Sequence, residues 1–199
     1  MYIIGITGGT GAGKTTALRA LKSLGVMVLD ADAVYHELLV NNAELREEIE
    51  AGFSGVLVDG AIDRKRLGKI VFNDSEALLK LSAITHKYTR AEITRRLAHW
   101  EKQGVKSAAI DAIALIESGT AKKCDVVIGV TAPKDVRLSR IMARDGITRE
   151  QAQLRMDAQK PVGFYQENCD CILEGNCVTA DEFEEKCKDF FSELLSANI

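Results

Sequence analysis

A glycine-rich stretch at residues 8–16, GGTGAGKTT, carries the residue types that bind a chain of phosphates. Gly8, Gly13, Lys14 and Thr15 fit the pattern G-x-x-x-x-G-K-[ST]. In such a loop, backbone N–H groups and the positive end of the following helix bind the anion, the lysine reaches the β- and γ-phosphates, and the Thr15 hydroxyl binds Mg²⁺. The pattern therefore predicts a site for a nucleoside triphosphate. The residues expected to contact it are Gly9, Thr10, Gly11, Ala12, Gly13, Lys14, Thr15 and Thr16.

Two aspartates two positions apart close the apolar run VMVLD at residues 26–30 and begin the next segment. On an extended segment, the carboxylates of Asp30 and Asp32 point to the same side. One would orient or deprotonate an attacking hydroxyl group, and the other would hold a metal-bound water or the substrate. Asp32 is expected in the site. Asp30 is equally suited to cap the following helix, so both of its roles stay open.

A third carboxylate and two arginines are further candidates for binding and catalysis. Asp111 lies in the apolar run 107–113, where a carboxylate beside the first strand would hold Mg²⁺ through water and contact the acceptor. Arg140 and Arg144 are four residues apart and share one helical face. We expect them to close over the triphosphate as part of a lid and to stabilise the negative charge on the transferring group.

Short apolar runs alternate with helical patterns along the chain. The strand-like runs are 2–7, 26–30, 107–113, 125–130 and 169–173. The helical patterns are 14–24, 31–51, 75–103, 133–144, 148–159 and 179–196. Capping boxes begin at Thr148 and Thr179, which makes those two helix starts the best defined. This alternation predicts an α/β fold of the phosphate-loop NTPase type, with a doubly wound parallel sheet and a ligand site at the carboxyl ends of its strands.

The expected organisation is a single domain spanning residues 1–199. Its core would comprise roughly 1–30 and 105–199. Residues 31–104 show no convincing strand, so we expect them to form an inserted helical lobe that receives the acceptor. The arginine-bearing lid would span roughly 140–160.

Composition and net charge argue against several classes of partner and location. The 199 residues are 46% hydrophobic and carry a formal net charge of −3, which gives no general attraction to nucleic acid or to an anionic membrane. The sequence has no apolar run long enough to span a bilayer and no N-terminal targeting pattern, so we expect a cytoplasmic protein. Five cysteines without CxxC spacing favour neither disulfides nor a zinc site.

The motifs, in their order and spacing, resemble one known family over nearly the whole chain. They are IGITGGTGAGKTT, DAD, IDAIALIE, RIMARDGITREQA followed by RMDAQ, and CDCIL before a last helix. This combination is similar to dephospho-CoA kinase, a family of small-molecule kinases with a phosphate loop. The resemblance implies ATP-dependent phosphorylation of the ribose 3′-hydroxyl of dephospho-coenzyme A, the last step of coenzyme A synthesis.

The same resemblance implies roles for single residues. Asp32, the second aspartate of DAD, would be the catalytic base, and Arg155 and Gln159 would lie near the nucleotide on one helical face. Arg64 and His86 would contact phosphates of the coenzyme from the helical lobe, although His86 is equally suited to a purely structural role.

Two stretches depart from the family pattern and keep alternatives open. The segment from Asp111 to Glu117 keeps both acids but lacks the usual proline, and His86 is followed by Lys87 instead of proline. A kinase for another small hydroxylated metabolite, such as shikimate or a nucleoside, is one alternative. A regulatory protein that binds ATP without phosphorylating anything is the other. The assembly is expected to be a monomer or a weak homo-oligomer.

Overall fold

A computed structural model describes residues 1–72, 74–177 and 179–199 of the chain. The strands are β1 (Tyr2–Thr7), β2 (Met27–Asp30), β3 (Leu57–Val58), β4 (Ala61–Ile62), β5 (Ser107–Asp111), β6 (Val126–Thr131) and β7 (Cys171–Glu174). The helices are α1 (Lys14–Ser23), α2 (Ala31–Asn41), α3 (Ala43–Gly52), α4 (Arg64–Val71), α5 (Ser75–Lys102), α6 (Lys134–Asp145), α7 (Arg149–Asp157), α8 (Val162–Asn168) and α9 (Ala180–Asn198). One 3₁₀ turn spans Thr120–Lys123.

The main sheet has the strand order β2-β5-β1-β6-β7. β1 pairs in parallel with both β5 and β6, and β6 pairs in parallel with β7. Because parallel strands cannot be joined by a short hairpin, crossover connections must link these strands. The predicted α/β fold class is confirmed, and the segments after β1, β5, β6 and β7 start from the carboxyl edge where such folds bind their ligands.

The apolar runs form buried strands because helices cover the sheet. Ile4, Ile6 and Ile128 are completely buried in a core that also contains Leu21 of α1 and Phe191 of α9. Burial of each such side chain contributes about 1.5–3 kcal/mol to folding. The core therefore fixes α1, which follows the glycine-rich loop directly, against the sheet.

The chain divides into two compact units. One comprises residues 1–29 and 103–199, and the other comprises residues 30–102. The second unit has its own apolar core, in which Leu45, Ile49 and Val56 are fully buried. None of the helices in the described residues is long and apolar enough to cross a membrane.

Three features of the 30–102 unit differ from the sequence-based expectation. The predicted helix 31–51 is two helices, because the Asn42 side chain accepts a hydrogen bond from the Leu45 N–H (2.8 Å) and so caps α3. α4 was not expected. The absence of strands in this region was also a wrong prediction, since β3 and β4 form a short antiparallel hairpin.

The hairpin was missed because its strands are short, but its turn carries a recognisable sequence signal. Two-residue strands are too short to show alternation of apolar and polar residues. The turn residues Asp59 and Gly60 both have positive φ, 49° and 78°. Asp-Gly is a preferred pair for a two-residue turn of this kind, so the dipeptide itself was the available signal.

Both predicted capping boxes are confirmed. The Thr148 hydroxyl oxygen accepts a hydrogen bond from the Gln151 N–H, and the Thr148 N–H donates one to the side-chain oxygen of Gln151. Thr179 and Glu182 make the reciprocal pair at the start of α9. These local contacts depend only on residues three positions apart, which is why the sequence alone predicts them.

An ion-pair cluster joins α2 to α5 within the 30–102 unit. The Glu92 carboxylate accepts hydrogen bonds from Arg95 and Arg96, and Arg96 also pairs with Glu37 of α2. The two arginines lower the pKa of Glu92 from 4.5 to about 2. The charged form of Glu92 therefore stabilises the fold above its unfolded-state pKa, and this contribution is lost as the pH falls through about 2.

We expect Glu92→Gln to weaken the dependence of thermal stability on pH in the acid range. Thermal melts at intervals between pH 6 and pH 2.5 should show the parent losing its advantage over the variant below pH 4.5. Glu47→Gln, at an exposed position of the same unit, serves as the control and should follow the parent curve. A Glu92→Gln curve parallel to that of the parent over the whole range would contradict the assignment.

Candidate active site

The glycine-rich loop connects β1 to α1 at the carboxyl edge of the sheet. The N-cap of α1 is Gly13, with φ 112°, and no side chain caps the helix. The first turn of α1 also lacks an acidic residue. Because no side chain caps this helix start, backbone N–H groups there can bind an external anion, and the helix dipole adds a positive potential.

Close packing against β6 fixes the beginning of the loop. Gly8 has φ 144°, and a Cβ atom added to it would lie 2.2 Å from the carbonyl oxygen of Val130. No side chain of an L-residue fits at that distance from backbone. The chain can leave β1 in this direction because residue 8 is glycine.

We expect Gly8→Ala to destabilise the fold by at least ~3 kcal/mol, because backbone strain and a backbone clash act together. Gly25→Ala is the matched control, since Gly25 also has positive φ (80°) but no atom within 4 Å of the added Cβ. It should cost only about 1–2 kcal/mol. Urea unfolding of both variants measures the difference, and equal losses would mean that the Val130 contact is not what requires glycine.

Lys14 and Asp111 form an ion pair at the centre of the site. Lys14 Nζ lies 3.1 Å from Asp111 Oδ1, and the side chains are only 16% and 17% exposed. Lys14 is the first residue of α1, and Asp111 is the last residue of β5, the neighbour of β1 in the sheet. Sheet topology thus joins two residues that are 97 positions apart in the sequence.

These two residues line a cavity of about 230 Å³. Its lining combines the loop, the start of α1, the segment after β5 and one face of α6, all within the unit of residues 1–29 and 103–199. The lining residues are Gly9, Thr10, Gly11, Gly13, Lys14, Thr15, Asp111, Ile113, Arg140 and Arg144. Of the loop residues expected to contact a nucleotide, Ala12 and Thr16 do not line it: Ala12 is 1% exposed, and Thr16 lies within the first turn of α1.

The two arginines of α6 in this cavity have different surroundings. Arg140 donates hydrogen bonds to the carbonyl oxygens of Gly11 (3.2 Å), Ala12 (3.3 Å) and Gly175 (3.0 Å). It therefore braces the loop against the segment after β7. Arg144 has a side chain that is 61% exposed and pairs with the adjacent Asp145 at 2.7 Å. Only Arg144 can change position without breaking contacts to the loop backbone.

Gln159 contacts the loop directly. Its Oε1 atom accepts a hydrogen bond from the Thr10 N–H (2.8 Å), and its Nε2 atom donates to Thr10 Oγ1 (3.0 Å). Arg155 instead pairs with Asp145. α7 ends at Asp157, two residues before Gln159, and the two side chains have different partners.

Arg137 was not predicted and is the most buried arginine at the loop. It is 6% exposed, donates from Nε to the Thr10 carbonyl oxygen (2.9 Å) and from Nη2 to Gln159 Oε1 (3.2 Å). Burial lowers its pKa from the ordinary value. The signal was its place in the apolar stripe of α6 with Leu138 and Ile141, where arginine is unusual.

The remaining predicted residues belong to the 30–102 unit. Asp30 Oδ1 accepts hydrogen bonds from the N–H groups of Asp32 (2.9 Å) and Ala33 (3.0 Å), so Asp30 is the N-cap of α2. Asp32 is exposed in the first turn of α2, and no hydrogen bond to its carboxylate is made within the described part of the chain. Arg64 begins α4 and lines a cavity of about 290 Å³ within the unit, while His86 is half-buried on α5.

The donor atoms in the loop cavity suit a hard cation bound together with phosphates. Thr15 supplies a hydroxyl and Asp111 a carboxylate, and Mg²⁺ prefers oxygen ligands of this kind. No group of three or more His, Cys, Asp or Glu residues that could hold a metal occurs among residues 1–72, 74–177 and 179–199. The five cysteines are free thiols. Thr15 and Asp111 are the oxygen donors through which this cavity could hold such a cation.

Comparison with known proteins identifies the family. The family model described as dephospho-CoA kinase matches residues 2–181. The dephospho-CoA kinase of Geobacter sulfurreducens is 38% identical over 195 residues, covering 97% of this chain and 98% of that protein. The crystal structure of dephospho-CoA kinase from Campylobacter jejuni has a TM-score of 0.72 at 32% identity, with 99% and 98% of the two chains covered.

A more distant structure shares the fold alone. Shikimate kinase from Bacteroides thetaiotaomicron has a TM-score of 0.59 at 14% identity, and 98% of each chain is covered. By the family match and the close relatives, the chain belongs to the dephospho-CoA kinase family.

Proposed function

We propose that the chain transfers the γ-phosphoryl group of ATP to the ribose 3′-hydroxyl of dephospho-coenzyme A, giving coenzyme A and ADP. The observation that carries this proposal is the shielded pair of Lys14 and Asp111 inside a glycine-rich loop, in a chain of this family. Family membership supports ATP as the phosphate donor.

Positioning and charge stabilisation account for most of the proposed catalysis. In the proposed site, Lys14 holds the β- and γ-phosphates, and the uncapped start of α1 adds amide donors. Arg140 keeps the loop in shape through its three carbonyl contacts, while Arg144 leaves Asp145 to reach the transferring group. Gln159 fixes Thr10 at the edge of the same cavity.

Asp32 is proposed to act on the acceptor hydroxyl. Its carboxylate is exposed and is not engaged in capping α2, since Asp30 performs that task. An aspartate is a weak base, so Asp32 would orient the hydroxyl group and accept its proton late in the reaction. Arg64 and His86 are proposed to contact phosphates of the acceptor.

Mg²⁺ is proposed to be held by Thr15 and, through water, by Asp111. When bound, it would neutralise charge on the phosphate oxygens. Because Asp111 is also the partner of Lys14, replacing Asp111 should affect both the metal requirement and the position of the lysine.

Release of ADP by the purified protein tests the proposal. The assay contains ATP and Mg²⁺ and compares dephospho-coenzyme A with shikimate and with a panel of nucleosides. ADP should form with dephospho-coenzyme A, and a Lys14→Ala variant should abolish it. Activity with a different acceptor only would support the loop as the site of ATP and would contradict dephospho-coenzyme A as the acceptor. ATP binding without turnover on any acceptor would support a regulatory protein instead.

A further inference from the structure

A second cavity, of about 390 Å³, lies in the same unit as the loop and reaches it through Arg137 and Gln159. The segment after β6, the first turn of α6, the last turn of α7 and the start of α8 form its walls. Among the residues assigned above to nucleotide, metal or acceptor, Gln159 alone lines it. The proposed phosphoryl transfer therefore leaves this cavity without a function.

Positive charge dominates its lining. Lys134, Arg137 and Lys160 contribute three cations against one carboxylate, that of Asp157. This carboxylate already accepts a hydrogen bond from the Gln153 side chain (2.6 Å). A cavity with this balance attracts an anion, and its walls strengthen the attraction by excluding part of the solvent.

Arg137 is the strongest indication that this cavity can bind an anion. It is 6% exposed, and its hydrogen bonds are to a carbonyl oxygen of Thr10 and an amide oxygen of Gln159. Within the described residues, no carboxylate forms an ion pair with it. A buried cation is costly unless an opposite charge compensates it, and Arg137 lines this cavity.

The helix that carries Arg137 adds to this potential. α6 is 12 residues long and begins at Lys134, and its N-cap, Pro133, makes no side-chain hydrogen bond. Asp135 in the first turn is the one acidic residue at this end of α6, but it does not line the cavity and it pairs with Arg149 at 2.7 Å. The positive end of the helix dipole therefore adds to the potential at the wall of the cavity. Ala132, Met156 and Val162 provide apolar surface beside these charges. The ligand chemistry that fits is a phosphate group, free or attached to a small apolar group.

We propose that this cavity is an accessory phosphate-binding site, separate from the phosphate loop and able to be filled while the loop holds its nucleotide. Arg137 and Lys134 bind the phosphate oxygens from α6, and Lys160 binds them from the segment before α8. The apolar wall accepts the organic part of a phosphate monoester.

Titration of the 199-residue protein with inorganic phosphate tests the proposal. The loop is first filled with Mg²⁺ and a non-hydrolysable ATP analogue, and calorimetry verifies that the analogue is bound. A protein that does not bind the nucleotide analogue is thus distinguished from one whose cavity does not bind phosphate. We expect one further saturable phosphate site, observed by ³¹P NMR. The double variant Lys134→Gln/Lys160→Gln should weaken it at least ~10-fold, because two nearby charges are removed.

Lys122→Gln is the matched control, since Lys122 is an exposed lysine of the same unit outside the cavity. It should leave phosphate binding unchanged. Arg137 is not used as a probe because it also braces Thr10. A second series replaces inorganic phosphate by phenyl phosphate, whose tighter binding would identify a monoester as the ligand, and equal or weaker binding would identify free phosphate.

Two results would overturn the proposal. One is the absence of saturable phosphate binding once the loop is filled. The other is binding that the double variant and the Lys122→Gln control retain equally, because the anion would then lie elsewhere on the surface.

Discussion

Replacing Asp32 by Asn should lower kcat with dephospho-coenzyme A by at least ~100-fold, the lower bound of what a positioned acid or base contributes. The Asp32 carboxylate is exposed on the first turn of α2 and does not cap that helix. Its loss should therefore remove the proposed catalytic group while changing the stability of the fold little. The KM for ATP should stay within about twofold, because the loop, and not Asp32, is the proposed binding site for ATP. Steady-state kinetics with each substrate varied in turn separates the two effects.

Asp30→Asn is the matched control for this prediction. Asparagine keeps a side-chain oxygen that accepts the hydrogen bonds from the Asp32 and Ala33 N–H groups, so α2 stays capped. We expect kcat within about threefold of the parent. If Asp30→Asn were as damaging as Asp32→Asn, the charge of Asp30 would be required in the reaction. If Asp32→Asn kept nearly full turnover, Asp32 would not be the base.

Lys14→Ala should lower kcat by about 10³-fold, since the variant removes a preorganised cation from the site of charge development. The structural reason for so large an effect is that Lys14 Nζ is held 3.1 Å from Asp111 and shielded from solvent, at 16% exposure. Water cannot replace a charge in such a position without reorganisation. Stopped-flow or coupled measurement of ADP release quantifies the loss.

A second variant distinguishes this effect from a general loss of charge on α1. Lys22→Ala removes an exposed lysine from the last turn of the same helix and should leave kcat within about twofold. Lys14→Ala leaves Asp111 without its cation, so its folding must be verified by thermal melting. A folded Lys14→Ala protein with more than a tenth of the parent activity would refute the role of this lysine.

Local sequence patterns were sufficient for much of the fold. All five predicted strands of the main sheet are present, because continuous apolar runs are characteristic of strands covered on both faces. The starts of α7 and α9 follow from capping boxes that span four residues. The hairpin at Asp59 and Gly60 was missed since its strands have two residues each, although the Asp-Gly pair marks such a turn.

The phosphate loop could be predicted from the sequence, because the loop is one continuous segment whose glycines, lysine and threonine act through local backbone geometry. The distant side chains that contact the loop are known only from the folded structure. The pairing of Asp111 with Lys14 depends on β5 lying beside β1, and the contacts of Gln159 and Arg137 with Thr10 depend on how α6 and α7 pack. Such contacts join residues about 100 or more positions apart, and no local pattern encodes them. The hydrogen bonds that Arg137 makes within an apolar stripe became visible only with its burial and its neighbours in the folded chain.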